Sequence, residues 1–216
     1  MPTYAFDVYG TLIDTHGVVT QLRRQIGEQA PAFSHTWRNK QLEYAFRRAL
    51  MQDYVPFSTC TADALEYACL VHQAPLEEAT KQQLLQHYLT LPAFADVKSS
   101  LLQLKQQGHH LVAFSNGELA ALKSLLGHAN LLTLFDRVIS CEPIKTFKPN
   151  PAVYSYLVEQ TGDPGTQLIS SNAFDIIGGH HFGLETHWLR RDPSNLWDPW
   201  GAEPDNIIHS LADLTN

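Results

Sequence analysis

The spacing of apolar residues changes character along the chain. Tyr4-Ala5-Phe6 is a short apolar run suited to a buried strand. It runs into Asp7-Val8-Tyr9-Gly10-Thr11-Leu12, with a carboxylate where the strand should end, a glycine for a tight turn and a threonine hydroxyl beside it. From about residue 15 to 93 the spacing turns helical. Asp14-Thr15-His16 offers a helix start, and Val18, Val19, Leu22 and Ile26 recur at helical intervals until Pro31 breaks the pattern. Ser34 to Asp53 reads as a longer helix with Trp37, Leu42, Ala45, Phe46 and Leu50 apolar, and Arg38 shares a face with Leu42. Thr59 and Thr61 are cap candidates for a helix through Leu65, Ala68 and Leu70, and Pro75 opens another to about Leu89.

From Asp96 onward helical and strand patterns alternate. Asp96 starts a helix through Leu101, Leu102 and Leu104 that stops at Gly108. The strands predicted are 110–114, 137–140, 167–169 and 184–189, separated by helices at 118–126, after Pro149 and Pro151, and at 174–181. Residues 190–204 read as an irregular loop and the tail as a short helix. Strands joined through helices predict an α/β fold: a Rossmann-like parallel-sheet core with right-handed crossovers. Residues 1–14 and 94–216 would form that core, and 15–93 an inserted all-helical cap.

Composition narrows the picture. With 216 residues and 44% hydrophobic content, the chain can bury its core without staples. The three cysteines, Cys60, Cys69 and Cys141, lack metal-type spacing and read as reduced thiols. Neither a leader pattern nor an apolar run of membrane-spanning length is seen, so a cytoplasmic protein is expected. A net charge of -7 without a basic stripe argues against nucleic acid. It also means that a small anion would need a local positive pocket. Eleven histidines invite a metal reading, but His109-His110 and His180-His181 are adjacent pairs that point apart on a helix, and no two stand three or four apart. No metal or cofactor is expected.

In such sheets ligands bind beyond the carboxyl ends of the strands. Asp7 stands there on the first strand, Ser115-Asn116-Gly117 on the second, and Ser170-Ser171-Asn172 on the fourth, with Asp175 one turn into the following helix. The third strand leads to Lys145-Thr146-Phe147-Lys148-Pro149. Each cluster alone is an ordinary turn, helix cap or solvated lysine. Four of them on one rim suggest a site.

Together these segments resemble the haloacid dehalogenase superfamily. Asp7 to Leu12 resembles its nucleophile motif, Phe114 to Gly117 its second, Lys148-Pro149 its third and Ser170 to Asp175 its fourth. Within it the chain is most similar to the L-2-haloacid dehalogenases, whose cap signature Trp37-Arg38-Asn39-Lys40-Gln41-Leu42-Glu43-Tyr44 resembles. Phosphatase relatives carry a second Asp two residues after the nucleophile and an Asp in the fourth motif for Mg²⁺. Here those positions are Tyr9 and Ser171. A hard dication wants several oxygen ligands including carboxylates, whereas a halide leaving group needs neither proton nor metal.

The resemblance implies (S)-2-haloacid dehalogenation. Asp7 would attack the carbon bearing the halogen, invert it, and form an ester that water hydrolyses to an (R)-2-hydroxyacid. Lys148 would keep Asp7 ionised, since a pair at about 4 Å contributes on the order of 4 kcal/mol at an intermediate dielectric. Lys145 is the lesser candidate. Asp175, with Asn172 and Ser170, would handle the hydrolytic water. Ser115 and Thr11, with backbone N–H groups around Val8, Tyr9 and Ser171, would hold the substrate carboxylate. Arg38, Asn116 and Phe174 would cradle the halide, Leu42 and Phe57 would wall the substrate, and Tyr154 would bond a catalytic carboxylate. A homodimer is implied by the resemblance alone. A small-metabolite phosphatase, or a binding protein on the same fold, remain open at this point.

Overall fold

The computed structural model describes residues 2–215. Strand β1 (Thr3–Phe6) lies in the middle of a six-stranded, all-parallel sheet. Its companions are β2 (His110–Ser115), β3 (Arg137–Ser140), β4 (Gln167–Ser170), β5 (Glu185–Leu189) and β6 (Asn206–Ile208), in the order β3-β2-β1-β4-β5-β6. Phe6 stands opposite Ala113 on one side and Ile169 on the other.

Alternation along the strands sends side chains to two cores. Tyr4, Phe6, Leu111, Ala113 and Ile169 join one, with Leu101 and Leu104 of α5 (Val97–Gln106) and Leu122 and Leu125 of α6 (Leu119–His128). Ala5, Val112, Phe114 and Leu168 join the other, under Val153 and Leu157 of α7 (Pro151–Thr161) and Ile176 of α8 (Ala173–Phe182). Covered faces explain why these strands read as nearly continuous apolar runs.

Between β1 and α5 the described residues form α1 (Val19–Ile26), α2 (Ala30–Met51), α3 (Phe57–Val71) and α4 (Glu78–His87), with short 3-10 turns. The outgoing and returning chains run side by side: Asp14 N–H donates to the Pro92 carbonyl at 2.8 Å and Phe94 N–H to the Leu12 carbonyl at 3.0 Å. No helix among the described residues is long and apolar enough to cross a membrane.

Some boundaries differ from those expected. Pro31 does not break a helix; it sits in the first turn of α2, where a missing N–H costs nothing, so that helix begins at Ala30. Helix α3 starts at Phe57 after Pro56, and neither Thr59 nor Thr61 caps it. Thr61 instead donates back to the Phe57 carbonyl at 2.9 Å. Pro75 lies three residues ahead of α4. Leu50, placed on the apolar side of α2, is 86% exposed. The sixth strand, three residues on the free edge of β5, was not anticipated.

Candidate active site

The site grows from the end of β1. Asp7 N–H still bonds the Ile169 carbonyl at 2.9 Å, so the carboxylate stands on the last rung of the ladder. The chain then turns sharply. Gly10 has φ +85°, a conformation that side chains disfavour, and the Val8 carbonyl collects N–H groups from Leu12 and Ile13 at 3.0 Å. This turn carries the Thr11 hydroxyl back to Asp7 Oδ2 at 2.8 Å. Asn172 Nδ2, at the start of α8, donates to the same oxygen at 2.8 Å. Lys148 Nζ donates to the other, Oδ1, at 3.1 Å.

Lys148 spends all three ammonium protons inside the protein: on Asp7, on the Phe114 carbonyl at 3.0 Å, and on Asp175 Oδ2 at 2.8 Å. It is 1% exposed, Asp7 6% and Asp175 0%. Burial alone would push the ammonium down; the two carboxylates outweigh it and hold Lys148 above the usual lysine range. Asp175 is pushed up from the ordinary aspartate range. Burial, reinforced by the Asp7 charge, outweighs the Lys148 charge and the Tyr154 hydroxyl bond. That hydroxyl donates to Asp175 Oδ1 at 3.0 Å. Lys145 is exposed, with its ammonium over the Tyr54 ring, so of the two lysines only Lys148 joins the carboxylates.

The other expected residues divide between touching Asp7 and shaping the loops. The Ser170 hydroxyl accepts from Asn172 N–H at 3.1 Å, and the Ser115 hydroxyl from Gly117 N–H at 3.2 Å; both fix turns. Asn116 Oδ1 accepts the Lys148 N–H at 2.9 Å and so pins that lysine's backbone. The Ser171 hydroxyl donates to the Gly10 carbonyl at 2.6 Å, and Ser171 N–H bonds the Thr11 hydroxyl at 2.9 Å. Val8 and Tyr9 are buried, and the Tyr9 ring lies 6.1 Å from that of Phe57.

Arg38 reaches in from α2. It is partly buried, burial lowers its pKa from the ordinary arginine value, and its Nη2 lies 3.4 Å from the Tyr9 carbonyl oxygen. Leu42, one turn on, is half-buried. Phe174 packs edge-on against Phe46, another turn along α2, with ring centroids 5.0 Å apart. Sequence reasoning missed Phe46 as a neighbour of the site, though its spacing of four from Leu42 was a usable sign. It also missed Arg191, whose Nε and NH2 hold the Thr11 carbonyl at 3.1 and 2.8 Å from the far end of β5.

A dication would fit this donor set poorly. Ser171 offers a hydroxyl already given to Gly10, Tyr9 supplies no carboxylate, and an ammonium bonds both acids. Among the described residues no three His, Cys, Asp or Glu side chains converge. The parallel sheet thus carries at its carboxyl edge two buried carboxylates sharing one lysine, a nucleophile-type site on an α/β fold. The chain belongs to the haloacid dehalogenase-like hydrolase family, which matches residues 1–183. It is 35% identical to an (S)-2-haloacid dehalogenase of Pseudomonas putida, over 98% of this chain and 93% of that one. Identity to the (S)-2-haloacid dehalogenase of Pseudomonas sp. (strain YL) is 36%, over 96% and 90%. Its structure is similar to that of L-2-haloacid dehalogenase from Xanthobacter autotrophicus with chloropropionic acid covalently bound: TM-score 0.93, 28% identity, covering 100% of this chain and 97% of that chain.

Proposed function

We propose that the chain hydrolyses short (S)-2-haloacids to (R)-2-hydroxyacids and halide through an ester on Asp7. The observation that carries this is the dressing of Asp7: Oδ2 takes two hydrogen bonds, from Thr11 and Asn172, while Oδ1 takes one, from Lys148, and keeps a lone pair for attack. Oδ1 forms a bond to C2 as the carbon–halogen bond breaks, and the electron pair leaves with the halide. Arg38, Asn116 and Phe174 receive the halide, and Thr11 and Ser115 with nearby N–H groups hold the substrate carboxylate. Water then adds to the Asp7 carboxyl carbon and gives one proton to Asp175. The carboxyl carbon–oxygen bond to the substrate breaks, its alkoxide takes that proton, and the second water proton leaves as Asp7 reionises.

The helical block 15–93 acts as a cap closing over this site, which the Arg38 reach and the Phe46–Phe174 contact support. The chain pairs as a homodimer, for which the exposed Leu50, Met51, Leu70 and Val71 on α2 and α3 supply apolar surface, and sedimentation checks it. Three unpaired cysteines suit a reducing cytoplasm.

Halide release from each enantiomer of 2-chloropropionate, with chelator present, tests the reading. The S form should turn over and Asp7→Asn should be inactive. Repeated turnover in ¹⁸O-water should leave label in the Asp7 side chain. Metal-dependent phosphate release without halide release would overturn it.

A further inference from the structure

We infer that Gln41 is the positioning residue for Arg38, fixing its guanidinium with a neutral acceptor so that its charge stays available to an anionic ligand. This rests on the reading of Arg38 given above. Gln41 is 1% exposed in the interior of α2, where a leucine would pack without any polar requirement. Its amide is tied at both ends. Oε1 lies 2.7 Å from Arg38 NH1, and Nε2 lies 2.5 Å from the Thr61 hydroxyl.

The polarity of this chain is forced. A guanidinium only donates, so Gln41 must turn its oxygen to Arg38. The amide nitrogen then donates to Thr61, whose own proton goes to the Phe57 carbonyl at 2.9 Å. Trp37 Nε1 holds the next link, the Thr61 carbonyl, at 2.8 Å. Arg38 is thereby referenced to the α2–α3 hairpin. Among the described residues its hydrogen bonds go to two neutral acceptors, Gln41 and the Tyr9 carbonyl. Two of five N–H donors are so engaged, which leaves three for a ligand.

The neutrality of the acceptor matters. A carboxylate at this point would hold Arg38 equally well but would also pair with it, weakening its pull on a second anion. Gln41→Glu, equal in length, keeps the acceptor toward Arg38 and adds the charge, at the loss of the Nε2 donor to Thr61. Gln41→Leu removes the acceptor at similar volume.

The experiment is a cycle of Gln41→Leu, Arg38→Lys and the double variant, with kcat and KM for (S)-2-chloropropionate and inhibition by bromide, each per folded protein. Gln41→Leu should lower kcat/KM about tenfold or more, as expected for losing one hydrogen bond to a charged group. It should also weaken bromide inhibition. The double variant should lose little beyond Arg38→Lys alone, because Gln41 acts only through Arg38. Gln41→Glu should raise KM at least tenfold.

Losses that simply multiply, or a Gln41→Leu enzyme with lower Tm but unchanged kcat/KM and bromide inhibition, would overturn the inference and leave the reading of Arg38 standing. An Arg38→Lys enzyme within twofold of the parent would overturn both. Should Gln41→Leu not fold, Gln41→Met carries the same cycle.

Discussion

Asp175 meets no solvent, yet its charge is set by three neighbours that are all within the protein. Burial and Asp7 push its proton affinity up, while Lys148 and the Tyr154 hydroxyl bring it down. If it must be ionised to accept a proton from water, activity falls on the acid side at a pH above the ordinary aspartate value of 3.8. Tyr154→Phe removes one group that favours the carboxylate, so the acid limb of kcat/KM should move to higher pH; a pH–rate profile checks this. An unmoved limb would mean that another group sets it. The residues around Asp7 were legible because strand ends converge in a parallel sheet: Asp7, Thr11, Asn172, Asp175 and Lys148 all follow from that rule and the motifs placed on it, whereas Tyr154, inside α7, came from the family resemblance alone. Gln41 and Arg191 were not. A glutamine inside a helix or an arginine after a strand reads as solvated surface until its partners are known.

At the scale of elements, α7 and α8 pack closely enough to bring Tyr154 onto Asp175. Gly178 makes this possible, since a Cβ there would lie 2.7 Å from Pro149 Cβ and against the Tyr154 ring. Gly178→Ala should cost about 1–3 kcal/mol by overpacking and lower kcat as well, because the phenol is what must move. Thermal melting and turnover on one preparation check both. A second tie joins the β5 end to the start of α5. Asp96 accepts from Arg191 NH1 at 2.9 Å and from Leu211 N–H at 2.9 Å, while Arg191 grips the Thr11 carbonyl.

Burial raises Asp96, but those bonds win and hold it below 3.8. A depressed carboxylate contributes stability above its unfolded value and loses it as pH falls through the folded one. Asp96→Asn should therefore lower stability at pH 7 by about 2 kcal/mol, with the difference from the parent shrinking below pH 4 in denaturant titrations. Sequence pattern had marked Asp96 only as a helix start. The prolines were misread for a related reason: Pro31 stands just inside a helix and Pro75 well before one, and composition does not distinguish these positions. The three residues of β6 are too few for a period to show, and the open edge of β5 makes them a strand.

At the scale of the molecule, the parallel sheet and the helices that follow its first strand were readable because the change from helical spacing to alternating elements is abrupt near residue 94. What periodicity could not give was how those helices meet the sheet. That meeting depends on a few pairs, Arg38 with the Tyr9 carbonyl, Phe46 with Phe174, and Phe57 with Phe147, each between residues distant in sequence.

The central place of β1 bears on how the protein is made. Its neighbours are β2 and β4, so of the six described strands the one made first must wait for the fourth before it is flanked on both sides. The lysine that neutralises its acid lies 141 residues downstream. At about 5–20 residues per second, a nascent chain carries Tyr4-Ala5-Phe6 and an unpaired carboxylate for roughly 7 to 30 seconds. Chains stopped at residue 160, before β4, should be held by chaperones or found in the insoluble fraction, whereas chains stopped at residue 203, lacking only the β6 edge and the tail, should be recovered in larger part; pelleting assays on arrested translation products would show the difference.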